Sequence, residues 1–575
     1  MRRIYTGAAA LAVCLCASVS AQQRAESPGA TVTGTVTDAV TGRSLRNATV
    51  RLSARGSRFS VTTSTSATTG RFEIRSVPPG RYGLWASLPG YLEGGYQQRS
   101  ALAPSVPVDV PERGAVETPL RLWKHSVISG QVTDEAGEPA AGVNIVPLEE
   151  AWSPDAVHLV RGRNRAVVTD DRGEYRLADL RPGTYVIGVA GTGAFPTGRS
   201  VGLDVDYGTA YSPGVTLADQ AERITVGAAE SRNSVNIRLP RTSPRSGTLR
   251  GQVTDGPPDL TWTVELVPAL PASSTLSDLD VRRTTAEDGR FQFSAVSPGP
   301  YVVRAIAFTQ FTNVKTFGSI GMLIPDPPDA ARTIETKPTF WAETVAMVEA
   351  DGSAQVTLRC RTGLQIRGEL VWQGASPRPD AFSILRTSMT IRPLNGRVFT
   401  ELATAKVDSR GRFSTVGLPP GRYGLDISLA PPGWSFLSIS VLGRATGDGA
   451  IGLQDDDVSN VVVTLTDRPT AVSGLVLSVD SRPVPLSTVV VFPIDRRLWS
   501  ASFPPRVIQT RPDASGRYVV DDLPAGEYYV VATSRDVPDR WQNPAFLLSL
   551  VPAASKIQIG DGTRANQNLT VTSAK

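Results

Sequence analysis

The chain has 575 residues, with 59 Lys and Arg against 54 Asp and Glu and a formal net charge of +5. So small an excess, without any Lys/Arg block, excludes a nucleic-acid-binding stripe. The 52 Gly, 44 Pro and only 4 Met, with no long apolar run at helical spacing, argue for many short strands and tight turns and against a helical protein.

In chain order, Met1-Arg-Arg, the apolar Ala8 to Val13 and Val19-Ser-Ala21 predict a secretory leader cleaved after Ala21. Residues 22–30 read as a linker. Val13 and Leu15 are poor lipobox residues before Cys14 and Cys16, and Arg2-Arg3 lacks the rest of a twin-arginine signal. No later run is long and apolar enough for a membrane-spanning helix. The mature chain, with a charge of +3 once Arg2 and Arg3 are gone, is expected to be secreted or periplasmic. Cys360 is then its one remaining thiol, which permits no internal disulfide. Its place at a strand end suits a small packing residue.

From residue 31 onward one phrase recurs five times at fixed spacing: glycine, an aromatic two residues on, a second glycine, and a tyrosine two residues after that. The copies are Gly70/Phe72/Gly80/Tyr82, Gly173/Tyr175/Gly183/Tyr185, Gly289/Phe291/Gly299/Tyr301, Gly411/Phe413/Gly421/Tyr423 and Gly516/Tyr518/Gly526/Tyr528. Five copies without an insertion mean a tandem array of one unit. The first glycine follows polar residues, which is hairpin-turn chemistry needing positive φ. The aromatic and the residue two later alternate as an inward-facing strand does. Pro-Gly or Ala-Gly then makes a tight turn into a second strand beginning at the tyrosine.

Each phrase is preceded by 46 to 53 residues, counted to its second glycine, by a Gly-x-Val-like start at Gly34, Gly130, Gly251, Gly368 or Gly474. Each is followed by a strand-turn-strand close, as in Ile224 to Leu239. About seven short strands per unit is β-sandwich size. The expected organisation is an all-β tandem array: module 1 at 31–123, module 2 at 124–240, module 3 at 241–361, module 4 at 362–467 and module 5 at 468–575.

Gly130-Gln-Val-Thr-Asp134-Glu-Ala-Gly137-Glu-Pro139, with the later Asp-x-x-Gly-x-Tyr and Leu-x-Pro-Gly-x-Tyr of the second unit, resembles the carboxypeptidase regulatory-like domain. The resemblance implies a prealbumin-like (transthyretin-like) sandwich with a carbohydrate-binding-like fold, in a long bacterial secreted protein built mostly from such modules. Its signature residues are turns and core, so they specify fold and leave function to the sites.

Catalytic machinery is not expected. The two histidines, His125 and His158, lie 33 residues apart, and neither begins a His-x-x-Glu or His-x-His. Both read as surface residues, His158 in an inter-strand loop and His125 at a module junction. The peptidases that carry this domain use a zinc site, and related intradiol dioxygenases use paired His and Tyr at iron; neither ligand set is available. Gly198-Arg-Ser200-Val-Gly202 matches a nucleophile elbow, but no His follows Ser200. The acidic groups at Asp204/Asp206 and Asp455-Asp456-Asp457 lack the spacing of a calcium loop and read as solvated turns. No catalytic residue, metal site or cofactor is assigned.

Binding is expected to rest on tryptophan, since exposed Trp beside polar side chains is what sugar stacking requires. Trp85 falls on the face opposite Tyr82 and Leu84, where the other modules have Gly188, Arg304, Asp426 and Val531. Trp152 and Trp499 fall in second-to-third-strand loops beside Glu149/Glu150 and Arg496/Arg497. These three are the candidate ligand-binding residues. The expected function is a secreted, non-catalytic array that binds carbohydrate or polysaccharide at the cell surface or in the periplasm. A structural stalk or adhesin-like spacer holding another envelope protein is the alternative. A glycoside-acting enzyme working with carboxylates alone would need two acids at glycosidase separation in one cleft.

Overall fold

The computed structural model describes residues 29–571 apart from 55–59, 153–156, 163–165, 192–207, 241–245, 258–259, 272–273, 308–338, 395–402, 432, 486, 500–505, 534–540 and 561. The predicted leader, Ser200 and the Asp204/Asp206 pair lie outside the described residues. Strands dominate, and their buried side chains form five main cores drawn from residues 30–122, 128–239, 249–358, 366–465 and 472–569. Each core lies between two sheets, as alternating strands require when one face is buried.

One plan recurs. The opening strand of each unit, such as Ala30–Asp38, runs antiparallel to the first strand of the repeated phrase and parallel to the closing strands. The same arrangement holds for Ser126–Thr133, Gly247–Thr254, Ile366–Gln373 and Ala471–Leu477. Opening and closing strands that run parallel leave a unit at the end opposite to where it began, which strings units end to end. The second strand of the phrase belongs to the other sheet, beside the unit's hairpin, as Gly80–Ser87 lies beside Thr49–Ser53 and Ser60–Ser64. In the fourth unit Ala403–Val407 pairs with strands of both layers, so its two sheets are joined at one corner.

The two glycine signals are halves of one contact. Gly34 pairs across strands with Phe72, Gly130 with Tyr175, Gly251 with Phe291, Gly368 with Phe413 and Gly474 with Tyr518. A Cβ on Gly251 would lie 2.2 Å from the Phe291 ring, and one on Gly474 would lie 2.0 Å from the Gln567 carbonyl of the closing strand. The glycine lets the ring lie against bare backbone, an aromatic rescue that restores the packing a glycine lacks. Where the aromatic is Tyr, its hydroxyl also ties down the closing segment, Tyr175 donating to Val235 O and Tyr518 to Gln567 O, both at 2.6 Å.

The tyrosine that ends the phrase has its own anchor. Tyr82, Tyr185, Tyr301, Tyr423 and Tyr528 each donate to the carbonyl four residues upstream, at 2.6–2.9 Å. This is the tyrosine-corner device of sandwich folds, fixing the turn from one sheet to the other. The first glycine of each phrase has φ between +69° and +86°, as the hairpin turn demands.

Two elements differ from the sequence reading. Ile224–Val226 pairs with Gly183–Val189 in the second sheet, whereas Ile237–Arg238 joins the first, so this strand-turn-strand close crosses between layers. A short helix, Pro544–Leu550, begins at Asn543, whose side chain accepts from Ala545 N, and has Pro at its first turn. It packs Leu547 and Leu550 onto the second sheet of the fifth unit.

Neighbouring units meet through specific contacts. Trp123 packs with Leu92 and Ala101 and against Ala228, joining the first two units. Strand Val157–Arg161 of the second unit pairs in parallel with Leu276–Ser277 of the third. Between the third and fourth, Phe340 pairs with Thr362, and Gly363 N donates to Thr339 O at 2.7 Å.

Candidate functional site on the outer sheet face

The outer face of the second sheet is where the units diverge. One row of residues crosses this sheet at the level of Trp85, and each unit treats it differently. In the first unit the row is Thr62, Arg51, Trp85 and Gly95, set by cross-strand register. The surrounding outward positions are small and hydroxylic: Ser60, Ser64, Thr49, Ser53 and Ser87. The Trp85 ring lies over Gly83, where a Cβ would sit 1.9 Å from its outer edge, and it also approaches Gly95. Alanine at 83 would lift the ring, so Gly83 is what allows it to lie along the sheet. The Arg51 guanidinium carbon is 5.7 Å from the ring centre, and Arg51 Nη2 lies 3.9 Å from Glu93 Oε1. The result is a half-buried aromatic surface flanked by a charged pair on an otherwise small, polar face.

The equivalent faces differ from this one and from each other. In the second unit Val146, Leu148, Gly188 and Tyr211 face Leu279 of the third unit, which is fully buried there. In the third unit the row is a ladder of alternating charge, Arg283, Glu265, Arg304 and Glu343. Its ends are closed by Arg283 Nε to Glu265 Oε1 at 3.0 Å and Arg304 Nε to Glu343 Oε2 at 2.7 Å. In the fourth unit Asp426 takes the place, its carboxyl pushed up by burial and drawn partly back by Arg392. In the fifth, Val490 and Val531 lie beneath Trp499 and the Pro544–Leu550 helix.

The three tryptophans therefore part company. Trp85 is on the outer face, opposite Tyr82 and Leu84. Trp499 is not a surface residue: it is 5% exposed, donates Nε1 to Pro493 O at 2.7 Å, and meets Phe492 edge to face at 5.6 Å. Its loop folds inward because the apolar face formed by Val490, Phe492 and Val531 needs a cover. Trp152 lies at the end of strand Asn144–Trp152 and pairs with Val157, so its backbone is part of a hairpin and not of a long loop. Arg51 and Glu93 were not singled out in the sequence. Strand alternation in Gly83-Leu84-Trp85 and the register to Arg51 are the signals that point to them.

The remaining polar groups serve structure. His158 sits in strand Val157–Arg161 and not in a loop, and burial lowers its pKa, opposed by Asp278. His125 Nδ1 lies 3.1 Å from Asp179 Oδ1 at the first junction. Burial raises the Cys360 thiol, with Asp255 adding to the effect. Asp457 accepts from Gln365 N and pairs with Arg367 Nη2 at 3.1 Å. At the second junction Asp219, Asp278 and Asp280 accept from Thr275 N, Arg161 N and Tyr211 OH respectively, all across the boundary between units. Among the described residues no three His, Cys, Asp or Glu side chains cluster as metal ligands do, and no helix is long and apolar enough to cross a membrane.

These features define a tandem array of β-sandwiches whose shared residues are architectural and whose outer faces vary. The carboxypeptidase regulatory-like domain family matches residues 31–111 and again 127–239, so the chain carries two tandem domains of that family. The other three units repeat the same glycine-aromatic pair and tyrosine anchor. No curated protein matches the sequence. Among solved structures, the Bacillus anthracis TIE protein aligns at 10% identity over 78% of this chain and 74% of its own, with a TM-score of 0.14. The minor pilin GBS52 of Streptococcus agalactiae aligns at 12% identity over 37% of this chain and 98% of its own, TM-score 0.23. The shaft pilin SpaA of Lactobacillus rhamnosus GG aligns at 11% over 38% and 100%, TM-score 0.20. Superpositions this loose say nothing of function or assembly.

Proposed function

We propose that the protein is a secreted, non-catalytic binding array, with module junctions after residues 123, 240, 361 and 467, and that its ligand face is the outer sheet of the first unit. The observation that carries this reading is Trp85, laid over Gly83 with Arg51 and Glu93 beside it. A flat aromatic ring offers stacking to the apolar face of a sugar, and the adjacent charged pair offers hydrogen bonds to its hydroxyls. Carbohydrate, as polysaccharide of the cell envelope, is the ligand class that fits this chemistry. Trp152, on its hairpin in the second unit, is a secondary candidate.

The test is binding of residues 22–575 to a panel of soluble glycans and insoluble polysaccharides, with Trp85→Ala as the control. Loss of an anchoring aromatic costs about 2 kcal/mol or more, so binding to a responsive glycan is expected to weaken by about 30-fold or more. Trp499→Ala is expected to leave it intact. Saturable binding unaffected by Trp85→Ala would remove the site, and no binding to any glycan would remove the ligand class. The second reading, a structural protein that holds another envelope protein, is favoured by the joined second and third units, where a shared sheet and the Leu279 contact make two sandwiches one body.

A further inference from the structure

Contacts between units are not confined to sequence neighbours. Strand Ile508–Thr510 is at the edge of the second sheet of the fifth unit. An edge strand ordinarily leaves one side to solvent, yet Arg506, Val507, Arg511 and Pro512 are buried and the three strand residues are partly covered. Two arginines bracket the segment, each reaching a different unit. Arg506, 8% exposed, donates from Nη2 to Gly447 O of the fourth unit at 2.8 Å. It also donates from Nη1 to Ala525 O at 3.2 Å and to Tyr528 OH at 3.5 Å. Arg511, 5% exposed, donates from Nη1 to Gln97 O at 3.0 Å, and Gln97 belongs to the first unit.

A second residue places the same two units side by side. Asp513, two positions beyond Arg511, has a carboxyl raised by burial but brought below its ordinary value overall, chiefly by hydrogen bonds from Ser515 and Arg517; the charge of Arg81 in the first unit lowers it further. A guanidinium is withdrawn from water only where its donors find acceptors. For Arg511 one acceptor is a carbonyl 414 residues away in sequence.

We propose that the fifth unit docks back on the first through Arg511 and the turn at Gln97, closing the five units into a ring. The docking surface on the first unit is the turn after Gly94–Gly95, and its occupant is the fifth unit of the same chain. The four sequential junctions supply the remaining contacts of the circuit. Gly95 is also the neighbour of Trp85 in the ligand row, so the closure borders the proposed binding face without depending on it.

Small-angle scattering of residues 22–575 tests this directly. With a strand rise of about 3.3 Å per residue, a unit with its turns is about 40 Å long, so five in line span about 200 Å with a radius of gyration near 58 Å. Five such units in a ring give about 36 Å, above the roughly 24 Å of a single compact globule of this length. A radius near 36 Å for a particle of one chain's mass is expected, and a value near 58 Å would overturn closure. A particle of two chains' mass would overturn the intramolecular contact in favour of exchange between copies. Arg511→Ala and Arg511→Glu, with circular dichroism unchanged, are expected to raise the radius towards the open value by up to about 1.6-fold. A ring that stays closed in both variants would show that Arg511 is not the latch.

Discussion

At the residue scale, the repeat is kept by backbone geometry as much as by hydrophobicity. The position four before the second glycine of the phrase has positive φ in four units, at Ser76, Asp179, Ala295 and Asp522, and is Gly417 in the fourth unit. It coincides with the register shift in the opening pairs of the first three units, a bulge that turns the strand towards the tyrosine corner. Asp and Ser tolerate this conformation through short polar side chains. Ala295, at φ 51°, lacks that advantage. Relief of about 1–2 kcal/mol of left-handed strain, less the roughly 0.4–1 kcal/mol that glycine adds to unfolded-chain entropy, leaves a net gain for Ala295→Gly of about 0.5–1 kcal/mol. Amide exchange in Arg290–Val296 and Gly247–Thr254 should slow by about two- to five-fold. Ala295→Val should speed it, because a β-branched side chain is worse at positive φ. A glycine variant that exchanges faster than the parent would refute the strain argument.

At the element scale, the same sheet face is covered in the second and fifth units, carries charged side chains in the third and fourth, and presents Trp85 in the first. The fifth unit covers its face with its own helix and the Trp499 loop. Trp499→Ala therefore belongs to stability: removing a buried Trp from such a cluster costs about 3–5 kcal/mol. In denaturant titration the fifth unit should lose its transition early, while glycan binding at Trp85 stays at parental strength. Loss of binding with unchanged stability would reverse the two assignments. Sequence pattern carried the strands, turns and five-fold repeat because alternation and glycine placement are local signals. It did not show that Gly34 and Phe72 are one cross-strand pair, since register joins residues far apart in the chain. Nor did it separate Trp85, placed by strand alternation, from Trp499, placed beside Arg496 and Arg497: only the apolar face beneath Trp499 decides that it turns inward. The helix at Pro544–Leu550 was not read from the sequence, because seven residues are too few to stand out as a helical period.

At the scale of the whole molecule, a closed array and a straight spacer exclude one another, so the closure contact bears on the choice between binding protein and stalk. The joint between the second and third units is made by a shared sheet and the Leu279 contact, and it contains a titrating group. Asp280 accepts from Tyr211 OH at 2.7 Å and from Ser277 N at 3.0 Å. Burial raises its pKa to about 6 from 3.8; hydrogen bonds from Tyr211 and Ser277 oppose the rise, and the negative charges of Asp219 and Asp278 add to it. Burial likewise pushes the Tyr211 hydroxyl up, which keeps it a donor at every pH the protein meets. A carboxyl whose folded value lies above its unfolded value favours the folded joint when protonated. That stabilisation is complete below about pH 4 and is lost as pH rises through about 6. Amide exchange in Val157–Arg161 and Leu276–Ser277, corrected for intrinsic rates, should therefore show stronger protection at pH 5 than at pH 7.5. Asp280→Asn, which keeps an acceptor for Tyr211 and cannot ionise, should hold the pH 5 level of protection at both. A parental protein with equal protection at the two pH values would show that Asp280 does not ionise within the joint, and a variant that loses protection at pH 5 would show that the carboxyl itself is required.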